Sequence, residues 1–110
     1  MQKFNVVTPY ATYPDCFFNI EKYQADESLA LQIFNMIDGP IATMTVCLDG
    51  QRAIKPKEGQ AYIDTNNCPW AESLIEELGI GENTEIMGFS GYCMYPLYQF
   101  DMEKLVKYAS

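Results

Sequence analysis

Apolar and polar residues alternate with a period of two through much of the first half of the chain. In the segment 16–23, Cys16, Phe18, Ile20 and Lys22 share one face, and the residues between them form the other. Such alternation is typical of a half-buried β-strand, because successive side chains of a strand point to opposite faces. Short apolar runs at 4–7 and 60–64 also resemble strands. The pattern predicts strands at 4–7, 16–23 and 60–64.

Two further runs are separated by residues that favour a turn. Leu29, Leu31 and Ile33 alternate along one face of the run 29–37, and the alternation can be continued to Asn35 and Ile37. The run 41–49 is similar, with Ala42, Met44, Val46 and Leu48 on one face. Asp-Gly-Pro at 38–40 is typical of a turn between strands. We predict a β-hairpin over residues 29–49.

The period changes in the segment 64–81, which reads DTNNCPWAESLIEELGIG. Its apolar residues recur at helical spacing, and proline suits the first turn of a helix. Glycine at position 79 is expected just after the last turn, where left-handed backbone is common. We predict a helix over 68–78 with Asn66, Asn67 or Cys68 as its N-cap. Its apolar stripe is Trp70, Leu74, Ile75 and Leu78, and its solvent side carries Glu72, Glu76 and Glu77.

The last part of the chain is richer in glycine and aromatic residues. Glycines punctuate 81–91 and predict a loop, whereas 92–100 resembles a strand that Pro96 would confine to a sheet edge or break. Asp101 is a good N-cap for a short C-terminal helix. The predicted fold is therefore one α+β domain spanning 1–110, with an antiparallel sheet of four to six strands. The 68–78 helix packs on one face of that sheet.

Composition agrees with a globular domain that has a real core. The chain has 110 residues, of which 48% are hydrophobic and 14% aromatic, which is too apolar for intrinsic disorder. No apolar run approaches the roughly 20 residues that a membrane span needs, and the first residues lack a stretch of signal length. We expect a soluble cytoplasmic protein without a membrane partner.

Histidine is absent and four cysteines are present. The lack of histidine excludes Ser-His-Asp and Cys-His catalysis and histidine-ligated zinc. The cysteines form no C-x-x-C pair, so we expect neither a bound metal nor a disulfide, and we expect no cofactor. Cys68 at a helix start could in principle be a reactive thiolate, but nearby acids would raise its pKa. The sequence favours a packing role for Cys68 and indicates no catalytic residue.

The formal net charge of −8 is unevenly distributed. Between Lys57 and Lys104 there is no basic residue, whereas nine Asp and Glu residues occur. This stretch repels phosphate backbones, so we expect no direct binding of nucleic acid. A basic protein surface is the expected partner instead. The candidate interaction residues are Glu72, Glu76, Glu77, Glu82 and Glu85.

A second interpretation is a small-ligand or hydrolytic site built from carboxyl, amide and phenol groups. Such a site would require a deep cavity and a carboxyl group with a raised pKa. The same tyrosines are also compatible with core packing, their hydroxyls lying at the rim of the core. The candidate residues of this alternative are Asp64, Asn66, Asn67, Tyr92, Tyr95 and Tyr98.

Two motifs, D-T-N-N at 64–67 and G-Y-C-x-Y-P-L-Y-x-F-D at 91–101, resemble an uncharacterised bacterial domain family. That family is found on plasmids, phages and other mobile elements, and the resemblance covers about residues 60–106. It implies a bacterial accessory-genome context and no known activity. Together with the acidic stretch, it suggests a non-enzymatic interaction module that acts as an acidic decoy or inhibitor. The expected target is a host nucleic-acid-binding or defence protein.

Overall fold

The computed structural model describes residues 1–48 and 52–110. Within them the strands form two antiparallel sheets of four strands, in the orders β1-β2-β3-β4 and β5-β6-β8-β7. The α+β class is confirmed, but the single predicted sheet is in fact two sheets. In chain order the elements are β1 (Phe4–Val7), β2 (Thr12–Lys22), β3 (Leu29–Asn35), β4 (Gly39–Thr43), β5 (Thr45–Val46), β6 (Gln60–Ile63), α1 (Ala71–Leu78), β7 (Gly81–Ser90), β8 (Cys93–Phe100), α2 (Met102–Leu105) and a final 3₁₀ turn, Val106–Tyr108.

The first sheet confirms the predicted hairpin in part, over residues 29–43. β3 and β4 pair antiparallel, with Ile33 opposite Ala42 and Asn35 opposite Gly39. Every second residue of β3 is buried, as its alternation indicates. Ile37 departs from the prediction and is 84% exposed, because the strand ends at Asn35 and the chain turns at 36–38.

The predicted strand 41–49 is divided between the two sheets. β4 ends at Thr43 and pairs with β3, whereas β5 begins at Thr45 and pairs with β6. Met44 lies at the crossing, where its N–H donates to Leu31 O (2.9 Å) and its carbonyl accepts from Asp64 N (2.9 Å). Alternation alone cannot show this change, because it does not reveal which partner strand each residue faces. Residues 49–51, including the predicted end of the strand, lie outside the described residues.

In the second sheet the predicted 81–91 loop is wrong, because Gly81–Ser90 forms strand β7. β7 pairs with β8 from Gly81 opposite Phe100 to Ser90 opposite Cys93, with an irregularity between Asn83 and Met87. Of the glycines that suggested a loop, Gly88 has a packing role in this strand. A Cβ on Gly88 would lie 2.6 Å from a carbon of the Tyr62 ring, so Gly88 permits close packing.

The prediction that Pro96 makes its strand an edge strand, or breaks it, is also wrong. β8 runs unbroken from Cys93 to Phe100 and lies between β6 and β7. Pro96 pairs with Met87 beside the β7 irregularity, one residue beyond the last β6–β8 pair, Tyr62 opposite Leu97. A proline is tolerated at such a place because regular pairing is interrupted there.

Helix α1 begins at Ala71, three residues later than predicted. Its N-cap is Trp70, whose side chain makes no capping hydrogen bond, and not one of the predicted residues 66–68. The delay arises from a turn in which Asp64 O accepts from Cys68 N at 2.7 Å. The C-terminus agrees with the prediction, because Gly79 is left-handed (φ 66°) and its N–H donates to Glu76 O.

The main core lies between the two sheets and α1 and includes Ile33, Ile63, Ile75 and Phe100. Trp70 and Leu78 are only partly buried against it, so the predicted stripe is centred on Leu74 and Ile75. Asp101 caps α2 as predicted, with its side chain accepting from Lys104 N at 3.2 Å. A smaller cluster on the other face of the second sheet contains Leu48, Tyr62, Tyr95 and Leu97.

Among the helices of the described ranges, none is both long and apolar enough to cross a membrane.

Candidate functional site

Tyr98 connects helix α1 to the second sheet. Tyr98 is 7% exposed, and its ring packs near that of Phe100, with the two ring centroids 6.4 Å apart. Its hydroxyl donates a hydrogen bond of 2.5 Å to Glu72 Oε2. Burial, followed by the bond to Glu72 and the charge of Glu72, raises the pKa of Tyr98 far above its usual value. The hydroxyl therefore stays protonated near neutral pH, and its hydrogen bond holds the Glu72 side chain against the second sheet.

Two exposed carboxylates lie close to this pair. Glu76, on the next turn of α1, and Glu82, on β7, line one cavity of about 300 Å³ together with Gly81, Asn83 and Tyr98. The sequence places Glu72 and Glu76 four residues apart, which puts them on one helix face. We define Glu72, Glu76 and Glu82 as the acidic cluster. All seven basic residues are described, and none makes an ion pair with these three carboxylates.

The other two predicted interaction residues lie apart from the acidic cluster. Glu77 lines a separate groove beside β1, together with Asn5, Val7 and Trp70. Glu85 lies in the irregular part of β7, with left-handed backbone (φ 67°), and does not line the Tyr98 cavity. The structure therefore brings together three of the five predicted glutamates. The separation of Glu77 follows from helix geometry, because adjacent positions on a helix are rotated by about 100°.

The residues of the alternative ligand site are dispersed. Tyr98 packs in the main core, whereas Tyr95 belongs to the smaller cluster on the opposite face of the sheet. Tyr92 is fully exposed at the β7–β8 turn. Both oxygens of Asp64 accept from Asn67, at 3.2 Å from its backbone N–H and 2.9 Å from its side chain, and Asn66 is exposed in the same turn. The Asp64 side chain therefore stabilises a local turn.

A family model described as a domain of unknown function, DUF4313, matches residues 16–110. The chain belongs to the DUF4313 family. No curated protein and no solved structure matches it. The matched region of this DUF4313 domain contains Tyr98 and the whole acidic cluster.

Cys68 is a buried thiol in this DUF4313 domain. It lies before the Pro69–Trp70 segment, outside α1, and its Sγ donates to Thr43 O at 3.6 Å. Burial and the charge of Asp64 raise the pKa of Cys68 to about 11. A thiol with this pKa is almost entirely protonated at neutral pH, so Cys68 is unsuited to nucleophilic catalysis.

Over residues 1–48 and 52–110, no group of three or more Cys, Asp and Glu side chains is placed to hold a metal ion.

Sequence reasoning about this DUF4313 domain did not find the bond between Tyr98 and Glu72, nor the contribution of β7 to the site. The two partners are 26 residues apart, and the bond depends on how α1 packs against β8. The alternation of Tyr98 with Phe100 in the sequence could have indicated that the Tyr98 ring is buried. The pattern contains no signal for which helix residue its hydroxyl would meet.

Proposed function

We propose that this DUF4313 domain is a non-enzymatic interaction module whose acidic cluster binds a basic protein surface. The observation that supports this function is the convergence of Glu72, Glu76 and Glu82 around Tyr98 without an ion-pair partner. Carboxylates carried by a helix and a strand, without an ion-pair partner, concentrate negative charge at one place on the surface. A concentration of charge of this kind favours rapid association with a positively charged partner.

The partner that best fits this surface is a protein that itself binds nucleic acid. Such proteins use lysine and arginine to contact phosphates, and carboxylates can occupy the same contacts. Resemblance of the two sequence motifs to a family found on mobile elements supports a host defence or nucleic-acid-binding protein as target. We therefore propose an acidic decoy or inhibitor acting in the bacterial cytoplasm.

The carboxylate cluster itself does not favour an enzyme. Glu76 and Glu82 are exposed, and the raised pKa of Tyr98 leaves its hydroxyl unable to act as a base near neutral pH. The sequence also lacks histidine. The dispersion of the alternative residues gives no support to a hydrolytic site at Asp64.

The test begins with capture of the partner on the tagged protein from a bacterial host lysate. Association rates of the captured partner are then measured with wild type and with Glu76→Lys/Glu82→Lys. This variant reverses the two exposed charges of the acidic cluster and leaves the bond between Glu72 and Tyr98 in place. We expect association to slow at least about tenfold at low salt, and less at high salt, because salt screens the attraction.

The matched control is Glu21→Lys/Glu77→Lys, which changes the net charge equally at exposed positions outside the Tyr98 cavity. The association rate of the control should be within about twofold of wild type. A change in net charge alone affects this rate less than the loss of a complementary charged site. Equal slowing by both variants would show that net charge, and not the acidic cluster, governs binding. Normal binding by both variants would contradict the proposed function.

A further inference from the structure

A buried carboxyl group lies far from the acidic cluster, in the turn between β2 and β3. Asp26 is only 9% exposed. Its Oδ1 accepts from Ser28 N at 2.9 Å and from Ser28 Oγ at 2.6 Å, and Ser28 is itself 1% exposed. Two bonds to one oxygen fix the orientation of the carboxyl group.

The second oxygen of Asp26 has no donor among the described residues. Oδ2 exposes less than 1 Å² and makes no hydrogen bond. Two tyrosines, Tyr23 and Tyr62, are close enough for the charge of Asp26 to add to the increase in their pKa that burial causes. Their hydroxyls, however, donate to Thr45 O at 2.9 Å and Ile54 O at 2.7 Å. A buried carboxylate oxygen without a donor is costly, and native structures rarely contain one.

Asp26 lies in the wall of a polar groove of about 410 Å³. The groove is also lined by three lysines and two glutamates, all of them exposed: Lys22, Lys55, Lys57, Glu27 and Glu58. None of the three ammonium groups makes an ion pair with a carboxylate of the described residues. The groove therefore places a buried acceptor beside exposed groups of both charges, around a volume that suits a small ligand.

We propose that this groove binds a small zwitterion. Its protonated amine donates to Asp26 Oδ2, and its phosphate or carboxylate group contacts the lysines. A primary amine is favoured because Oδ2 exposes less than 1 Å², so only a narrow donor reaches it, once the groups that cover it move. An ammonium–carboxylate bond is also stronger than a neutral hydrogen bond. This site is independent of the acidic cluster and of the proposed function.

The test is a titration of the full chain followed by amide NMR. The probes are O-phosphoethanolamine and β-alanine, which distinguish phosphate from carboxylate, with ethylamine and inorganic phosphate as the single-charge controls. We expect the amide signals of Asp26 and Ser28 to shift and saturate with at least one zwitterion. Each control should bind at least about tenfold more weakly, because it satisfies only one part of the site. The proposal is overturned if no zwitterion saturates these signals by about 10 mM, or if inorganic phosphate alone binds equally well.

Two sets of variants separate the two halves of the site. Asp26→Asn keeps an oxygen acceptor for Ser28 but removes the charge, and it should weaken zwitterion binding at least about tenfold. Lys55→Gln/Lys57→Gln should also weaken zwitterion binding. Because it changes only exposed residues, this variant still tests the proposal if Asp26→Asn does not fold. Lys3→Gln, an exposed lysine that does not line the groove, is the control and should bind normally. Unchanged or tighter binding by the double lysine variant would overturn the proposal.

Discussion

The packing of β7 against Tyr62 requires a residue without a Cβ at position 88, and this residue is Gly88. β7 crosses the Tyr62 ring at Gly88, and an added Cβ would lie 2.6 Å from both Tyr62 Cε1 and Leu48 Cδ1. Tyr62 cannot easily move, because it is fully buried and its hydroxyl donates to Ile54 O. The sequence shows a glycine here but not the ring, since the two residues are 26 positions apart. At this scale the alternation predicts which residues are buried, as in β3, but not which residues meet.

The contact predicts that Gly88→Ala destabilises the protein by about 1–3 kcal/mol, the usual cost of inserting a methyl group into a packed region. Equilibrium urea unfolding measures the difference. Ser90→Ala, at an exposed position of the same strand, is the control and should stay within about 0.5 kcal/mol of wild type. If Gly88→Ala were as stable as wild type, β7 would not pass this close to Tyr62.

At the scale of elements, local patterns predicted strands β1, β3 and β6, the part of β2 from Cys16 onward, the C-terminus of α1 and the cap of α2. These signals act within a few residues, through alternation, a left-handed glycine or a capping aspartate. The sequence did not predict β7 or the position of β8, because the glycines of β7 and Pro96 of β8 are residue types that strands disfavour. Glycines are accepted in β7 for packing, and Pro96 is accepted in β8 beside an irregularity. The start of α1 was misplaced because the Asp64 turn continues through Cys68.

The shifted start of α1 changes the expected importance of its apolar residues. Ile75 is fully buried, whereas Trp70, the first residue of the predicted apolar stripe, is only partly buried. We therefore expect Ile75→Ala to cost about 2–5 kcal/mol, and Trp70→Ala to cost roughly 1–2 kcal/mol. Urea unfolding must be followed by far-UV circular dichroism, because Trp70 is the only tryptophan. A greater loss of stability for Trp70→Ala than for Ile75→Ala would contradict this expectation, because it would place the centre of helix packing at the N-terminal end of α1.

At the scale of the whole molecule, the sequence predicted the α+β class but not the division into two sheets. The division depends on Met44, where the chain leaves the first sheet and joins the second through bonds to Leu31 and Asp64. Both partners are distant in sequence, so no local pattern encodes them. The acidic cluster has the same origin, because it depends on the tertiary contact between α1 and β7. Composition did predict the excess of negative charge, which belongs to the whole chain.

This charge excess predicts how stability depends on salt. The chain carries a net charge of −8, and the carboxylates of the acidic cluster make no ion pair that would relieve their repulsion. Raising sodium chloride from about 10 to 200 mM shortens the Debye length severalfold, so the free energy of unfolding should rise by roughly 1 kcal/mol. Chloride is chosen because sulfate would also strengthen apolar burial. Urea unfolding at each salt concentration gives the measurement.

Two double variants of equal charge then locate the repulsion. Glu76→Gln/Glu82→Gln removes two charges from the acidic cluster, and Glu21→Gln/Glu77→Gln removes two at exposed positions outside the Tyr98 cavity. The first should lose about half of the salt dependence or more, because repulsion is greatest between charges closer than a Debye length. The second should lose less. Equal losses would mean that the repulsion is spread over the molecule, and a stability that falls with added salt would contradict self-repulsion altogether. If the acidic cluster dominates, the same carboxylates that destabilise the free domain are those that a basic partner would neutralise, so binding would relieve the repulsion directly.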